Sequence, residues 1–218
     1  MKAYLCECIN SFRDNQFDLV YPPEVRTFSA IHWTPIAVAR QAARFLTLRP
    51  DMRVLDIGCG PGKFCTVGAL ITNGKFTGVE QRKQLYDAAC SVTERAGIPN
   101  VTIIHSNVTD IEFSDFDAFY LYNPFEENLE KSYRIDDAVS LSDDLYRKYA
   151  GHVARQLALA PLGTRVATYC GSCEEVPVGY TLWRRSLEQD KSLLFWEKTY
   201  NPPPQATWMR TKAMAKIL

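Results

Sequence analysis

The chain has 218 residues, 46% of them hydrophobic, with 25 basic and 25 acidic side chains. This length and composition suit one soluble α/β domain with a sizeable core. Balanced charge disfavours duplex nucleic acid as the main partner, because a large phosphate-tracking surface usually makes a domain basic. No stretch approaches the roughly 18 apolar residues of a membrane span, and Glu7 interrupts any apolar signal segment at the N-terminus. We therefore expect a cytoplasmic protein with no membrane partner.

An irregular segment and then a helix are predicted at the start of the chain. Residues 1–32 are rich in aromatic side chains and are broken by Pro22-Pro23, so we expect an irregular lead that caps the domain. A helix is predicted from about Pro35 to Leu48, because apolar residues recur there at helical spacing. Thr34 is expected to be its N-cap and Pro35 its first helical residue.

Strands and helices then alternate along the chain. Strands are predicted at 53–57, 75–80, 101–105, 117–122 and 164–169, and helices at 61–72, 82–96 and 142–159. Apolar segments at 180–183 and 193–196 predict a closing antiparallel pair, and an extended tail is expected from Pro202 onward. The alternation predicts an α/β fold with a doubly wound, mostly parallel sheet and helices on both faces. The final hairpin would add a reversed edge strand.

A glycine-rich turn lies at residues 54–62, which read Val-Leu-Asp-Ile-Gly-Cys-Gly-Pro-Gly. An apolar strand leads into the turn, and a second apolar strand ends in Glu80. In α/β sheets the ligand lies outside the carboxyl ends of the strands, and glycines let the backbone approach it closely. Glu80 is therefore placed to accept hydrogen bonds from both ribose hydroxyls of a nucleotide.

The spacing of the turn distinguishes two nucleotide ligands. A dinucleotide fingerprint reads Gly-x-Gly-x-x-Gly, which seats a pyrophosphate at a helix N-terminus. Here the pattern is Asp56-x-Gly58-x-Gly60-x-Gly62. A carboxylate at that mouth would repel a pyrophosphate, but it suits a ligand that carries an ammonium and a sulfonium. The residues therefore favour S-adenosylmethionine over NAD as the cofactor.

Four motifs together resemble those of the class I S-adenosylmethionine-dependent methyltransferases. They are VLDIGCGPGKF at 54–64, GVE at 78–80, HSNVTD at 105–110 and YNPF at 122–125. With the preceding helix they cover about residues 34–125. The resemblance implies a Rossmann-like fold, S-adenosylmethionine as the cofactor and methyl transfer as the activity. The methyltransferase domain would then span residues 33–200, between the cap at 1–32 and a tail at 201–218.

The resemblance also implies a position for each part of the cofactor. Asp56 and the loop from Gly58 to Gly62 would hold the methionine part, and Glu80 would hold the ribose. Asn107 and Val108 would contact the adenine. The family usually has an acid where this chain has Asn107, which can form hydrogen bonds but carries no charge.

The motif at 122–125 would close the site around the transferred methyl group. Asn123 is expected to lie where cofactor and acceptor meet, and its amide oxygen could accept a hydrogen bond from an amine nucleophile. Tyr122 and Phe125 either clamp a flat or cationic acceptor or simply pack at the end of the strand. Asn123 and Tyr122 are accordingly the candidate catalytic residues, and Phe125 is a candidate acceptor contact.

The segment His32-Trp33-Thr34 enters the helix before the first strand. Thr34 either touches the methionine carboxylate of the cofactor, as in some members of the family, or serves only as a helix cap. His32 is a candidate general base, although a lone histidine in a loop is more often a surface residue. Trp33 joins His32 as a candidate acceptor contact.

The sequence leaves the acceptor open. Nucleic-acid amino-methyltransferases use Asn-Pro-Pro-aromatic to hold a flipped base, whereas this chain has Asn123-Pro124-Phe125. The segment more closely resembles small bacterial relatives of the non-SET histone-lysine methyltransferases. The leading hypothesis is a methyltransferase acting on a protein side chain or a small molecule. The alternatives are a nucleic-acid methyltransferase, with a basic groove beside Asn123, and an inactive domain that binds the cofactor and serves as an interaction module.

Two close cysteine pairs, Cys6-x-Cys8 and Cys170-x-x-Cys173, have the ligand type of a zinc site. The pairs lie at opposite ends of the chain, and no histidine accompanies either. An odd total of seven also disfavours a secreted disulfide framework. We therefore expect reduced structural cysteines and no metal.

Overall fold

One mixed sheet forms the centre of the protein. The computed structural model describes residues 1–130, 132, 134–171 and 173–203. Seven strands lie in the order β3-β2-β1-β4-β5-β7-β6. Their bounds are β1 Arg53–Ile57, β2 Lys75–Glu80, β3 Val101–His105, β4 Ala118–Leu121, β5 Arg165–Tyr169, β6 Tyr180–Glu188 and β7 Lys191–Lys198.

The direction of the strands confirms the predicted fold class. Strands β1 to β5 pair in parallel, whereas β7 runs antiparallel to both β5 and β6. The fold is therefore a Rossmann-like, doubly wound α/β sheet, as expected. The reversed strand β7 lies one place inside the edge that β6 forms, because the final hairpin adds both of its strands to the same side.

Helices cover both faces of this sheet. In the described part of the chain they are α1 Lys2–Asn10, α2 Asp14–Phe17, α3 Pro23–Arg26, α4 Ser29–His32, α5 Ile36–Leu46, α6 Lys63–Ile71, α7 Lys83–Ala96 and α8 Asp143–Leu159. Short 3-10 turns lie at Asp18–Val20, Val108–Asp110, Phe113–Asp115 and Glu126–Asn128. Among these described helices, none combines the length and apolar character needed to cross a membrane.

Alternate side chains of the strands feed two hydrophobic clusters. Val54 and Tyr120 belong to the cluster that packs under α1, α5, α6 and α7. Leu55 and Phe119, their chain neighbours, belong to the cluster on the opposite face, against α8. Successive side chains of a strand point to opposite faces of the sheet. Because the parallel strands are apolar at successive positions, both faces of the sheet are buried.

Most predicted boundaries agree with the structure, and the closing hairpin differs. The first three strands have the predicted bounds. The predicted pair at 180–183 and 193–196 is part of a longer hairpin, Tyr180–Glu188 and Lys191–Lys198. Its outer strand continues through exposed polar residues, which an apolar pattern does not mark. The expected extended tail lies, from residue 204 to 218, outside the described residues.

The expectation of an irregular N-terminal lead is corrected by four short helices, α1 to α4. Leu5 and Phe17 are fully buried in the same cluster as the sheet, so this segment is part of the domain core. Three of the four helices have only four residues each. A helix this short does not produce a recognisable helical repeat of apolar residues in the sequence, and it is not stable on its own. Tertiary packing, which a sequence pattern does not report, is what stabilises them.

The expected N-cap of α5 is also corrected. The helix begins at Ile36, its N-cap is Pro35, and no side chain of the cap residue accepts a hydrogen bond. The backbone N–H of Ile36 instead donates to Asp14 Oδ1 over 2.9 Å. Thr34 Oγ1 lies 3.0 Å from the hydroxyl of Tyr120 in the buried core. A carboxylate from the N-terminal segment therefore replaces the predicted threonine.

Candidate functional site

A cleft open to solvent lies at the carboxyl ends of the central strands. Its walls divide into two groups. The β1–β3 side comprises Gly58, Gly60, Glu80, Asn107 and Val108, each directly after β1, β2 or β3 or at the strand end. The β4–β7 side comprises His32, Tyr122, Asn123, Cys170 and Lys191. This is the position that a doubly wound sheet gives to its ligands.

The glycine turn forms the floor of the β1–β3 side. Gly60 has φ +55°, and a Cβ built on it would meet no atom within 4 Å, so it would project into the open cleft. A side chain there would fill the space that the turn leaves for a ligand. Gly58 also lines the cleft. Gly62 does not face it: Gly62 is the N-cap residue of α6, and a Cβ built on it would lie 3.1 Å from the Cβ of Ala89.

Glu80 ends β2 with its carboxylate almost fully buried. Its Oε2 accepts from the backbone N–H of Gly60 at 2.9 Å, and its Oε1 accepts from the N–H of Arg82 at 2.8 Å. Burial raises the pKa of Glu80, while the contacts with Arg82 and Gly60 oppose that rise. Each carboxylate oxygen retains a further acceptor position. The group can thus fix the glycine turn and still accept from two vicinal hydroxyls.

Asp56 lies beside the main cleft, in a small adjoining pocket. The pocket is also lined by Trp33, Thr34 and Lys63. Burial raises the pKa of Asp56 to about 8, and the thiol of Cys65 donates to Asp56 Oδ2 over 3.5 Å. A buried carboxyl with one weak donor is suited to a ligand that brings a positive charge.

The adenine position predicted at Asn107 and Val108 lines the cleft. The amide of Asn107 is already engaged: its Oδ1 accepts from the N–H and hydroxyl of Thr109, and its Nδ2 donates to Gln81 Oε1. The second N–H of Nδ2 is not used by these bonds, and a contact from it to adenine stays a prediction. Phe125, the candidate acceptor contact, also lines the cleft, and its ring centroid lies 5.6 Å from that of Tyr149.

Asn123 follows β4 with φ +43°, a left-handed conformation that asparagine tolerates better than most residues. Its amide lies against Gly171, where a built Cβ would come within 2.6 Å of Asn123 Oδ1. Gly171 itself has φ +87°. Only glycine fits both the angle and the space, so the two residues together fix the amide at the junction of the two sides of the cleft.

Tyr122, His32 and Lys191 meet on the β4–β7 side. The hydroxyl of Tyr122 donates to the carbonyl of Ile31 at 2.6 Å and accepts from Lys191 Nζ at 2.8 Å. Burial lowers the pKa of His32; Glu127 opposes this shift, while Arg82 and Lys191 add to it. Both His32 and Trp33 line the cleft, and their contact with an acceptor stays a prediction. Tyr122 ties the short helix α4 to the end of β4.

Arg82 is a wall residue that the sequence patterns did not identify. It is buried and forms a double hydrogen bond with Glu127 at 2.7 Å, and its Nε lies 2.9 Å from Asp136. Both carboxylates belong to the segment after β4. Arg82 thus holds in place a segment that forms part of the cleft wall. Its place two residues after Glu80 is the one sequence signal that could have indicated it.

Lys63, in the glycine motif, joins the turn to the N-terminal segment. Its ammonium lies 2.7 Å from Asp14 Oδ1 and 2.7 Å from Asp18 Oδ1, and its side chain is only 3% exposed. Because Asp14 also accepts from the first N–H of α5, one buried cation holds three segments together. No local pattern indicated this pairing, since Lys63 and Asp14 lie 49 residues apart in the chain.

The cysteines form no evident metal site in the part of the chain that the structure describes. No group of three or more cysteine, histidine or acidic residues suitable for a metal ion is found there. Cys6 and Cys8 belong to α1, whereas Cys170 and Cys173 follow β5. Burial, together with the neighbouring Asp56, raises the pKa values of Cys59 and Cys65, which keeps these thiols protonated.

Comparison with known proteins assigns the family. Residues 48–188 match the family model described as a methyltransferase domain, which is more than half of the chain. The chain belongs to this methyltransferase family. The predictions of a class I methyltransferase domain and of S-adenosylmethionine as its cofactor are confirmed, and the open cradle at Gly60 and the buried acceptor Glu80 fit that cofactor.

Individual relatives differ in what they act on. The chain is 36% identical over 73 residues to a 23S rRNA (uracil(1939)-C(5))-methyltransferase of Klebsiella pneumoniae, covering 34% of this chain and 17% of the relative. It is 36% identical over 84 residues to a protein-L-isoaspartate O-methyltransferase of Methanococcoides burtonii, covering 38% and 39%. The matched segments therefore span well under half of either relative.

A solved structure shows the same fold. An RNA methyltransferase from Salinibacter ruber, in complex with S-adenosyl-L-homocysteine, superposes with a TM-score of 0.58 at 16% identity. The superposition covers 79% of this chain and 97% of that one. At this identity the likeness concerns the architecture and not the acceptor.

Proposed function

We propose that this chain transfers the methyl group of S-adenosylmethionine to a small-molecule acceptor held on the β4–β7 side of the cleft. The observation that carries the proposal is the position of Asn123, between the buried acceptor Glu80 on one side and Tyr122, His32 and Lys191 on the other. A single cleft thus has room for two reactants, with an amide at their junction.

The β1–β3 side would bind the cofactor. Glu80 accepts hydrogen bonds from the ribose hydroxyls. The turn at Gly60 has no side chain, so the ligand can lie close to its backbone. Asp56, in the adjoining pocket, pairs with the ammonium of the cofactor. When bound, S-adenosylmethionine supplies an electrophilic methyl carbon on a sulfonium, which becomes a neutral thioether as the acceptor gains the methyl group. Holding two reactants in line can contribute about 7–11 kcal/mol to such a reaction.

The β4–β7 side would orient the acceptor and take its proton. The amide oxygen of Asn123 accepts a hydrogen bond from the attacking group and directs its lone pair at the methyl carbon. His32 is neutral at physiological pH because burial lowers its pKa, so its ring can receive the proton that the acceptor loses. Tyr122 holds α4, and with it His32, over this side of the cleft.

Charge around the cleft favours a small molecule over a nucleic acid. Arg82 is neutralised by Glu127 and Asp136, and Glu126 adds a further carboxylate to the wall. The basic groove that a nucleic-acid methyltransferase would place beside Asn123 is not found among the described wall residues. The α4 helix over one side of the cleft also favours a compact acceptor over a protein side chain.

The test uses purified protein and S-adenosylmethionine that carries a labelled methyl group. It is incubated separately with the small-molecule fraction, the RNA and the denatured protein of a cell extract. We expect label in the small-molecule fraction and in neither polymer. Label in RNA or protein would overturn the choice of acceptor, and cofactor binding without label in any fraction would support the inactive interaction module.

A further inference from the structure

We infer that the methyl acceptor is a small aromatic molecule with an anionic group, a carboxylate or a phosphate, which Lys191 binds. The inference rests on the proposed function, because it assumes that the β4–β7 side holds the acceptor. It deepens that proposal by stating the chemistry that the site would recognise.

The position of Lys191 follows from the topology. Lys191 is the first residue of β7, which runs antiparallel to β5, so the start of β7 lies beside the end of β5. The N–H of Cys170 donates to the carbonyl of Ser192 at 2.9 Å, which fixes this junction. Lys191 therefore lies on the side of the cleft away from Glu80, while the ammonium position of the cofactor lies at Asp56 on β1.

The contacts of Lys191 leave its charge available. Its Nζ donates to the Tyr122 hydroxyl at 2.8 Å and lies 5.3 Å and 5.9 Å from the ring centroids of Tyr122 and Tyr169. Among the described residues, no carboxylate oxygen lies within 4.0 Å of this ammonium. Lys191 has three N–H donors, and its bond to Tyr122 occupies one of them.

Arg82 provides the contrast within the same cleft. Its guanidinium is matched by two carboxylates, Glu127 at 2.7 Å and Asp136 at 2.9 Å. Arg82 is thus a structural cation, whereas Lys191 is oriented by an uncharged hydroxyl and two rings. An anionic group of a ligand would form an ion pair with this half-buried ammonium. That pair would be stronger than the same pair in water, because the cleft is partly desolvated.

The walls around Lys191 indicate the rest of the acceptor. Phe28, Trp33 and Tyr122 are among the residues that line this cleft, and Tyr122 contacts Lys191 directly. Flat aromatic groups stack or meet edge-on with such rings. An aromatic acceptor could therefore place its acidic group at Lys191 and its nucleophilic atom at Asn123.

The experiment compares matched pairs of probe compounds in the labelled methyl-transfer assay. The acids are 4-hydroxybenzoate, 3,4-dihydroxybenzoate and 4-aminobenzoate, each paired with its primary amide. Hydroquinone monophosphate, paired with hydroquinone, forms the phosphate arm and separates the two sources of negative charge. We expect at least one anion to be methylated with a kcat/KM more than tenfold above that of its neutral partner.

Two variants connect that preference to the residue. Lys191→Met keeps the length and removes the charge, and it should reduce the ratio of kcat/KM between anion and neutral partner to near one. Lys191→Arg keeps the charge and should retain most of the ratio. Affinity for S-adenosylhomocysteine, measured by calorimetry, should change less than twofold in both variants.

Each other outcome contradicts the inference in a distinguishable way. Equal or better turnover of the neutral compounds, or no turnover of any probe, overturns the anionic acceptor. A tenfold loss of S-adenosylhomocysteine affinity in Lys191→Met would instead assign the lysine to the cofactor carboxylate. If the wild-type protein fails to bind S-adenosylhomocysteine, the proposed function itself is overturned.

Discussion

The two sides of the cleft are built from the chain in different ways. On the β1–β3 side, each wall residue lies at the end of a strand or in the turn directly after it, in three consecutive strand–turn units. On the β4–β7 side, the walls come from α4, β4, β5 and β7, which are spread from residue 32 to residue 191. The first side is a local property of the sequence, whereas the second exists only after the sheet has formed.

This difference has a functional meaning. A cofactor shared by a whole family can be bound by short motifs that fold the same way in every member. An acceptor particular to one protein requires contacts that vary, and these lie on segments joined by long-range packing. The following predictions test whether the two sides are separable.

The largest effect is expected at Asn123, where the sides meet. Replacing it with glycine, which keeps the left-handed backbone without strain, should lower kcat about 100-fold or more, the cost typical of one lost transition-state hydrogen bond. Asn123→Ala should lose as much turnover and, because φ is +43°, some stability in addition. Single-turnover kinetics with the identified acceptor measures this loss, and a change below threefold in Asn123→Gly would contradict a catalytic role.

An effect of similar size is expected from breaking the link between the glycine turn and the N-terminal segment. Lys63→Met leaves Asp14 and Asp18 facing each other without their cation, and it should lower the free energy of unfolding by about 3 kcal/mol. Lys75→Met is the matched control, because its partner Asp51 and the lysine itself are exposed, and it should cost less than about 1 kcal/mol. Urea denaturation compares them; equal losses would mean that the buried triad does not hold the segment.

A smaller effect is expected from pH on the β1–β3 side. Burial raises the pKa of Asp56 to about 8, so the carboxyl is protonated below that pH. Pairing with the ligand ammonium requires its ionised form. Binding of S-adenosylhomocysteine should therefore release up to one proton, and its affinity should rise with pH between 6 and 8, by at most about tenfold per unit.

Calorimetry in phosphate and Tris buffers gives the number of protons released. Asp56→Asn should bind more weakly and lose the pH dependence. The sign for stability is the reverse: since the folded-state pKa is above the unfolded value of 3.8, the contribution of Asp56 is complete below about pH 4 and is lost as pH rises through 8. Constant affinity across this range would place the ammonium elsewhere.

The sequence predicted the β1–β3 side well for a physical reason. Apolar strands, a glycine turn with positive φ angles and a terminal acid are each local, and their spacing is fixed by the strand–turn–helix unit. The first three strands and the location of Glu80 were accordingly correct. Thr34, which precedes this unit, was misassigned as a cap, because the carboxylate that replaces it comes from residue 14.

The β4–β7 side could be predicted only in part. Asn123 and Tyr122 belong to a short motif, and the structure brings both to the cleft. Lys191 and Gly171 have no such signal, since their positions depend on the pairing of β7 with β5 and on a loop after β5. The N-terminal helices were missed because four-residue helices carry no periodicity and depend on buried contacts such as those of Lys63.

The most direct test of the division between the two sides is a calorimetric titration with S-adenosylhomocysteine of the wild-type protein, Glu80→Ala and Asn123→Gly. Glu80 offers a charged acceptor, whose hydrogen bonds are worth about 1.5–3 kcal/mol, so its loss should weaken affinity by about 10-fold to 100-fold. Asn123→Gly should bind as the wild type does. A parallel loss in both variants would place Asn123 in the cofactor site and contradict the account, as would unchanged affinity in Glu80→Ala.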